Sequence, residues 1–460
     1  MNNYYSAEQI EKIVAGAKKI HFIGIGGISM CSLAMITARH GVKVSGSDRT
    51  ESEIADRMQK LGIEISYEHT AQTVAGAAVV VYRAAIHDDN PELAEARRQG
   101  IPTLIRAEYL GWLMLKYGVR IGVAGSHGKS SVTGMIASAC MADGDPTVLC
   151  GAEVSMLDGT YRLGSDARFV FEACEYCDSF LSFYPTLSVI TNVEYDHPDY
   201  FTDMDMLRNS FLKYAMIGEK AVFNADDPES VALMNRYGKK AVTYGIENDA
   251  DYSAKNIVID GLTSSFTLVC GGEEKGKISL RVPGLLNVKN ALCACAAAMT
   301  EGISFENVKR GLESFGGIKR RFEHLGKTAK GADVYDDYAH HPTELKATIS
   351  TAVEALKGSG KRLVTLFQPH TYSRTAALYG DFVEAFGDVD LALFSDIYAA
   401  REENVYGVSS KGLAESVGGV YSGSISESAE YIKENCGEND VVLILGAGDI
   451  IKAGPMVIKA

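Results

Sequence analysis

Arg120-Ile121-Gly122-Val123-Ala124-Gly125-Ser126-His127-Gly128-Lys129-Ser130-Ser131-Val132-Thr133-Gly134-Met135-Ile136-Ala137 is the stretch on which the fold turns. Arg120 to Ala124 reads as a short buried strand, Gly125 to Ser131 as a glycine loop with its Lys-Ser, and Val132 onward as the opening of a helix. Strand, glycine loop, Lys-Ser and helix together form a cradle for nucleotide phosphates. Backbone N–H groups at the helix start and the helix dipole both attract anions. Lys129 adds a point charge for the outer phosphates, and the Ser130 hydroxyl suits Mg²⁺. The spacing is GxxGKS, two residues shorter than the common phosphate loop. Gly125, Ser126, His127, Gly128, Lys129, Ser130 and Ser131 are therefore the expected nucleotide-binding residues.

The rest of the chain sets bounds on what this loop serves. At 460 residues the length suits about three domains. A chain 46% hydrophobic and 23% charged is an ordinary globular protein with ample core. Its net charge of −14 argues against nucleic acid or an anionic membrane surface as partner. The nine cysteines, several in apolar runs, read as core residues in a reducing compartment. Cys174 and Cys177 lack a second CxxC or a histidine at zinc spacing and read as two unlinked thiols. No apolar run approaches the roughly 18 residues that a membrane span needs, and no signal peptide is visible. The expectation is a cytoplasmic protein, monomer or homodimer, acting on small molecules.

Outward from the loop, strands and helices alternate. Ile20 to Ile23 is a strand, Ser29 to His40 a helix, and Val42 to Asp48 a second strand. Ala78 to Tyr82 and Asn90 to Gln99 continue the alternation, which builds a parallel sheet with helices on both faces. The turn Gly24-Ile25-Gly26-Gly27-Ile28-Ser29 has Ser29 where a dinucleotide fingerprint has its third Gly or Ala. It reads as a phosphate-binding turn, for a diphosphate, or as a tight turn without a ligand. The middle segment continues through Phe169 to Glu172, Leu187 to Asn192 and Ala221 to Asn224. It closes with helices at Val288 to Thr300 and Phe305 to Phe315. A third segment, with strands at Asp333 to Asp336, Arg362 to Phe367, Leu391 to Phe394 and Val441 to Leu445, makes another open α/β sheet. The predicted boundaries are 1–118, 119–315 and 316–460.

Open α/β sheets hold ligands at the carboxyl ends of their strands. Glu172 ends one strand, and Asn192-Val193-Glu194-Tyr195-Asp196-His197 follows another. Glu172 and His197 are the first candidates for Mg²⁺, with Glu175, Glu194 and Asp196 behind them. In the third segment, Lys319-Arg320-Arg321, Asp336-Asp337-Tyr338-Ala339-His340-His341 and Gln368-Pro369-His370-Thr371-Tyr372-Ser373-Arg374 gather Arg, His and Tyr at strand ends. Such groups suit a carboxylate or phosphate oxygen.

The phosphate loop, Glu172, Asn192 to His197, Asn287-Val288-Lys289-Asn290, Arg320-Arg321-Phe322-Glu323, Asp337 to Pro342 and Gln368-Pro369-His370 occur in the order found in the Mur ligases. The chain thus resembles, over nearly its whole length, the ATP-dependent enzymes that build the peptide of bacterial peptidoglycan. Gly24 to Met30, Ser45 to Asp48 and Arg106-Ala107-Glu108 are similar to the member that uses UDP-N-acetylmuramate and L-alanine. The resemblance implies a UDP-sugar domain, a central ATP and Mg²⁺ domain and a C-terminal domain that brings the amino acid and closes over the site. It implies Gly24, Gly26, Gly27, Ser29, Ser47, Asp48 and Arg83 for the UDP-sugar. Asn290 matches an adenine contact, and Arg321 and Asp337 match positions near the nucleotide. Ser130 and Glu172 match ligands of one Mg²⁺ and His197 of a second. Lys129, His197, His340, His370 and Arg374 would carry the catalytic work. Ser126 and Ser130 stand where many members have Thr, and Cys174 where many have Asp.

Three other readings have their own signatures. A ligase of the same fold that adds a preformed peptide would differ in its acceptor alone. A nucleotide-dependent switch would leave the Arg/His/Tyr strand ends unexplained. An NAD(P) dehydrogenase built on Gly24-x-Gly26 would leave the lysine loop unexplained.

Overall fold

The computed structural model describes residues 5–458 apart from 84–85, 155, 158, 199 and 262. Its strands fall into three sheets. The first comprises β1 (Lys19–Ile23), β2 (Lys43–Ser47), β3 (Glu64–Ser66), β4 (Val79–Tyr82) and β5 (Thr103–Ile105), ordered β3-β2-β1-β4-β5. All four of its pairings are parallel. The central strands are buried on both faces, which is why they read as continuous apolar runs. Between β1 and β2 the chain turns at Gly24, whose φ of +75° an L side chain tolerates poorly, and enters the helix Ile28–Arg39. The helix Pro91–Arg98 starts with proline in its first turn behind an Asn90 cap.

The middle sheet holds β6 (Val119–Ala124), β7 (Thr147–Val154), β8 (Gly159–Arg162), β9 (Arg168–Glu172), β10 (Leu187–Ile190), β11 (Lys220–Asn224), β12 (Val242–Tyr244), β13 (Tyr252–Asp260), β14 (Thr263–Cys270) and β15 (Glu273–Leu280). Their order is β15-β14-β13-β12-β11-β10-β6-β9-β7-β8. Strand β6 lies between β10 and β9, parallel to both, so the loop that follows it opens at the centre of the sheet's carboxyl edge. The β7–β8 hairpin and the β13–β15 strands are additions to the sequence reading. β13 (Tyr252–Asp260) and β15 (Glu273–Leu280) are largely polar, and in β7 and β14 the apolar residues come in runs of only three, as in Val148-Leu149-Cys150.

The third sheet comprises β16 (Glu323–Lys327), β17 (Asp333–Asp337), β18 (Arg362–Phe367), β19 (Leu391–Ser395), β20 (Val420–Gly423) and β21 (Asp440–Leu445), ordered β16-β17-β21-β18-β19-β20. It is parallel except for β16, and helices cover both faces over two apolar clusters.

The chain divides into two compact units, residues 1–253, 269–273 and 290–311 in one, and 254–268, 274–289 and 312–460 in the other. Within the first unit one continuous core joins the first sheet to the middle one, running from Ile20 and Phe22 through Trp112 and Tyr117 to Phe169, Phe180 and Tyr214. The expected α/β architecture of three sheets is therefore present. All nine cysteines are free thiols, Cys174 and Cys177 included. No helix among the described residues is long and apolar enough to cross a membrane.

Candidate active site

Gly128, with φ +79°, caps the helix Lys129–Asp143, and a Cβ there would stand 3.1 Å from the Asn290 amide oxygen. The loop before it is tied to the exit of β10. Ser126 N–H donates to the Asn192 carbonyl, and His127 N–H to the Asn192 side chain at 2.9 Å. Thr191 Oγ1 and Asn192 Nδ2 both donate to the His127 carbonyl, at 2.7 and 3.0 Å. The Ser126 hydroxyl exchanges hydrogen bonds with the Glu194 backbone, each 2.8 Å, so its role here is to brace the loop. His127 Nε2 sits 3.2 Å from the Glu194 carboxylate.

Lys129 and its surroundings form the chemical centre of this unit. Its ammonium donates to the Gly125 carbonyl at 2.5 Å and lies 3.1 Å from Glu175, which is only 2% exposed. Burial works against both charges, but each stabilises the other. Glu175 is held below the usual carboxylate range by Lys129 and His197 despite its burial, and Lys129 above its ordinary value by Glu175. Glu175 is the partner that the sequence reading placed only among secondary metal candidates. His197, with φ +55°, has Nε2 3.6 Å from Glu175 and 3.9 Å from Asp196.

Beside this pair, the Ser130 hydroxyl donates to Glu172 at 2.8 Å, and Gly151 N–H to the same carboxylate oxygen at 2.9 Å. A hydroxyl and a carboxylate already touching at a helix start are hard oxygen donors of the kind Mg²⁺ takes, with phosphate oxygens and water completing its shell. The donor set fits that ion.

In the first sheet, the Ser47 carbonyl accepts from Gly24 N–H at 2.8 Å and Ile25 N–H at 2.9 Å. Asp48 accepts from Gly26 N–H at 2.8 Å. Any Cβ at Gly26 would stand 2.9 Å from that carboxylate, and one at Gly27 would meet Arg83 Nη1 at 3.4 Å. Gly24, Gly26, Gly27, Asp48 and Arg83 therefore gather at one strand end, with Ser29 in the first helical turn behind them. Ser47 departs from its expected role. It is fully buried and its hydroxyl is spent on Glu92, so it does not present that group to a ligand.

In the second unit, β17 ends at Asp337, whose carboxylate accepts from Phe322 N–H at 2.7 Å and Ala339 N–H at 2.8 Å. Burial raises it to about 6 against the opposing pull of Arg321. Arg321 reaches Glu344 at 3.4 Å, and its guanidinium lies 5.6 Å from the Tyr338 ring centre. The imidazole of His340 points Nδ1 at the Tyr338 carbonyl, 3.0 Å away, and at Glu344. Burial, helped by Arg374 and Arg321 and opposed by Glu344, lowers it to about 4. His340 is thus neutral at physiological pH and offers Nε2 as an acceptor. From the end of β18, His370 faces it with ring centres 5.9 Å apart, stacks on Tyr398 and meets Arg374 Nη1 at 3.5 Å. Thr371, between them, has φ +66° and ψ 147°, a conformation that costs energy and concentrates at functional sites.

Anchored loop, buried lysine and hydroxyl–carboxylate pair have the donor chemistry that suits nucleotide phosphates on an α/β scaffold, and the likeness to known proteins defines the class. Family models match in chain order: the Mur ligase family catalytic domain over residues 19–117, the Mur ligase middle domain over 123–298, and the Mur ligase glutamate ligase domain over 320–448. The chain belongs to the Mur ligase family. It is 42% identical to the UDP-N-acetylmuramate--L-alanine ligase of Acetivibrio thermocellus over 96% of each chain. It is 43% identical to the enzyme of that name from Caldanaerobacter subterraneus subsp. tengcongensis, over 95% of this chain and 96% of the relative. Among solved structures it resembles the UDP-N-acetylmuramate-alanine ligase MurC of Thermotoga maritima, with a TM-score of 0.78 and 29% identity, over 95% of this chain and 97% of that one.

Proposed function

We propose that the protein joins L-alanine to the lactyl carboxylate of UDP-N-acetylmuramate at the expense of ATP. The products are UDP-N-acetylmuramoyl-L-alanine, ADP and phosphate, in peptidoglycan precursor synthesis. The observation that carries this reading is likeness along nearly the full length to ligases of that name, at 42% identity. The loop chemistry agrees with it. A carboxylate is a poor electrophile, so it attacks the γ-phosphate of ATP to give an acyl phosphate and ADP. The alanine amine then attacks that carbonyl, and phosphate leaves.

Phosphoryl transfer asks mainly for positioning and charge neutralisation. Lys129 supplies a buried cation at the loop, and ATP phosphates would compete with Glu175 for it. Ser130 and Glu172 would hold Mg²⁺, and His197 a second ion; bound there, the ions would neutralise charge on the transferred phosphoryl group. Asn290, next to Gly128, would contact the adenine. In the C-terminal segment, Arg374 suits the alanine carboxylate, and the neutral His340 can accept a hydrogen bond from the amine. Residues 1–118 would hold the sugar nucleotide, 119–315 ATP and 316–460 the amino acid. We place the enzyme in the cytoplasm, where these substrates are made.

The test is phosphate release from ATP and Mg²⁺ with UDP-N-acetylmuramate and single amino acids. Release that requires both the sugar and L-alanine is expected. Release with a preformed peptide but not with alanine would assign the chain to another acceptor, and tight ATP binding without release would make it a switch.

A further inference from the structure

Beneath the glycine turn of the first sheet lies a largely buried polar cluster that the proposed reaction leaves unassigned. Glu92, in the first turn of the helix Pro91–Arg98, is 0% exposed. Its carboxylate accepts from the Ser47 hydroxyl at 2.7 Å and from Thr73 at 2.6 Å. His69 Nδ1 lies 3.1 Å from the Ser47 oxygen and 3.3 Å from Glu92. His21 Nε2 faces Glu92 at 3.8 Å, while its Nδ1 meets Ser45 at 2.9 Å. Since Ser47 gives its proton to Glu92, its oxygen is left to accept from His69 N–H.

A buried carboxylate is costly unless its hydrogen bonds are satisfied, and a core of apolar residues would be cheaper. What the cluster touches suggests its use. Ser47 carries on its carbonyl the Gly24 and Ile25 amides, and the adjoining Asp48 carries the Gly26 amide. The backbone that shapes the turn is thus held from below by the Ser47 carbonyl and the Asp48 carboxylate, and the Ser47 side chain is itself fixed by Glu92. A Cβ at Gly46 would stand 2.6 Å from Ile25, so the strand end and turn are in close register.

We propose that Glu92 is a positioning residue for the sugar nucleotide: it locks Ser47 so that its carbonyl and Asp48 hold the Gly24–Gly27 turn in its binding shape. The inference rests on the reading that this turn binds UDP-N-acetylmuramate. Glu92 does not touch substrate; it acts through Ser47.

The experiment measures UDP-N-acetylmuramate binding by calorimetry to the full-length protein and to Ser47→Ala, Glu92→Gln, the double variant and Thr73→Val, with thermal melting and KM for ATP alongside. Glu92→Gln is expected to weaken sugar binding roughly tenfold to hundredfold, the scale of one charge-assisted hydrogen bond, with KM for ATP unchanged. The double variant is expected to be no weaker than Ser47→Ala alone, because Glu92→Gln removes only the charge from the bond that Ser47→Ala deletes, and both act on one path. Thr73→Val, which bonds the carboxylate without touching Ser47, should lower melting more than affinity. Additive losses in the double variant, or losses in every variant that track melting alone, would overturn the proposal. Failure of the unaltered protein to bind the sugar would instead overturn the reading of the turn.

Discussion

Lys129 shows how one side chain can be costly to bury and still be the right choice. Its ammonium is held by Glu175 and the Gly125 carbonyl, so the cation is fixed before any phosphate arrives. Lys129→Ala is expected to lower turnover by about a thousandfold, the upper range for losing one preorganised charge, while sugar binding stays unchanged. Calorimetry showing that sugar affinity also collapses would refute the division of labour. Glu172→Gln keeps the hydrogen bond from Ser130 but loses the charge. The midpoint of a Mg²⁺ titration of activity should rise roughly tenfold, and an unshifted midpoint would remove Glu172 from the metal shell. At this scale the sequence was informative wherever a residue type has one chemistry, as with Lys129 or the strand-end Glu172. Glu175 and Glu92 were opaque because their meaning lies in partners distant along the chain: Lys129 is 46 residues from the first, Ser47 45 from the second.

Elements in this protein begin where polar caps bind the backbone, and one cap carries a pH signature. Asp227 caps the helix Pro228–Tyr237 through Ser230 N–H at 2.8 Å and anchors the β10 exit through Val193 N–H at 3.1 Å. Burial raises its pKa to about 6, with Glu194 adding to the shift. A raised carboxyl pKa means that the charged form disfavours the fold. The penalty is absent at pH values below the unfolded pKa, grows as pH rises through about 6, and is full above. Asn caps as well as Asp does, so Asp227→Asn should stabilise by about 1 kcal/mol at pH 8 and by nothing at pH 4. Urea unfolding at the two pH values measures this, and a gain equal at both would exclude the charge as its cause. Elements with apolar runs were legible in advance: β18 (Arg362–Phe367) has the bounds that its sequence suggests. The strands β13 to β15 were not, because an exposed strand such as Tyr252–Asp260 has little apolar content to betray it.

Across the whole molecule, three sheets follow from the alternation of strand and helix, whereas the joining of the first two into one unit does not. That union is a matter of packing: the helix Arg106–Met114 meets the segment Tyr176–Ser182 so closely that a Cβ at Gly111 would collide with the Ser182 carbonyl. Trp112, the only tryptophan, is buried beside this contact with its indole N–H 2.6 Å from Glu11. Gly111→Ala should cost about 2–3 kcal/mol, read as a shift of the Trp112 fluorescence transition in urea, since backbone must move to admit the methyl. An unshifted transition would show that the contact yields freely. The central claim is that this chain activates the sugar's carboxylate by phosphorylation before handing it to alanine. The most direct measurement uses UDP-N-acetylmuramate carrying ¹⁸O in both lactyl carboxylate oxygens, with ATP, Mg²⁺ and L-alanine, and weighs the phosphate released. One ¹⁸O per phosphate, formed only with alanine present, is the predicted result; phosphate free of label would contradict the account.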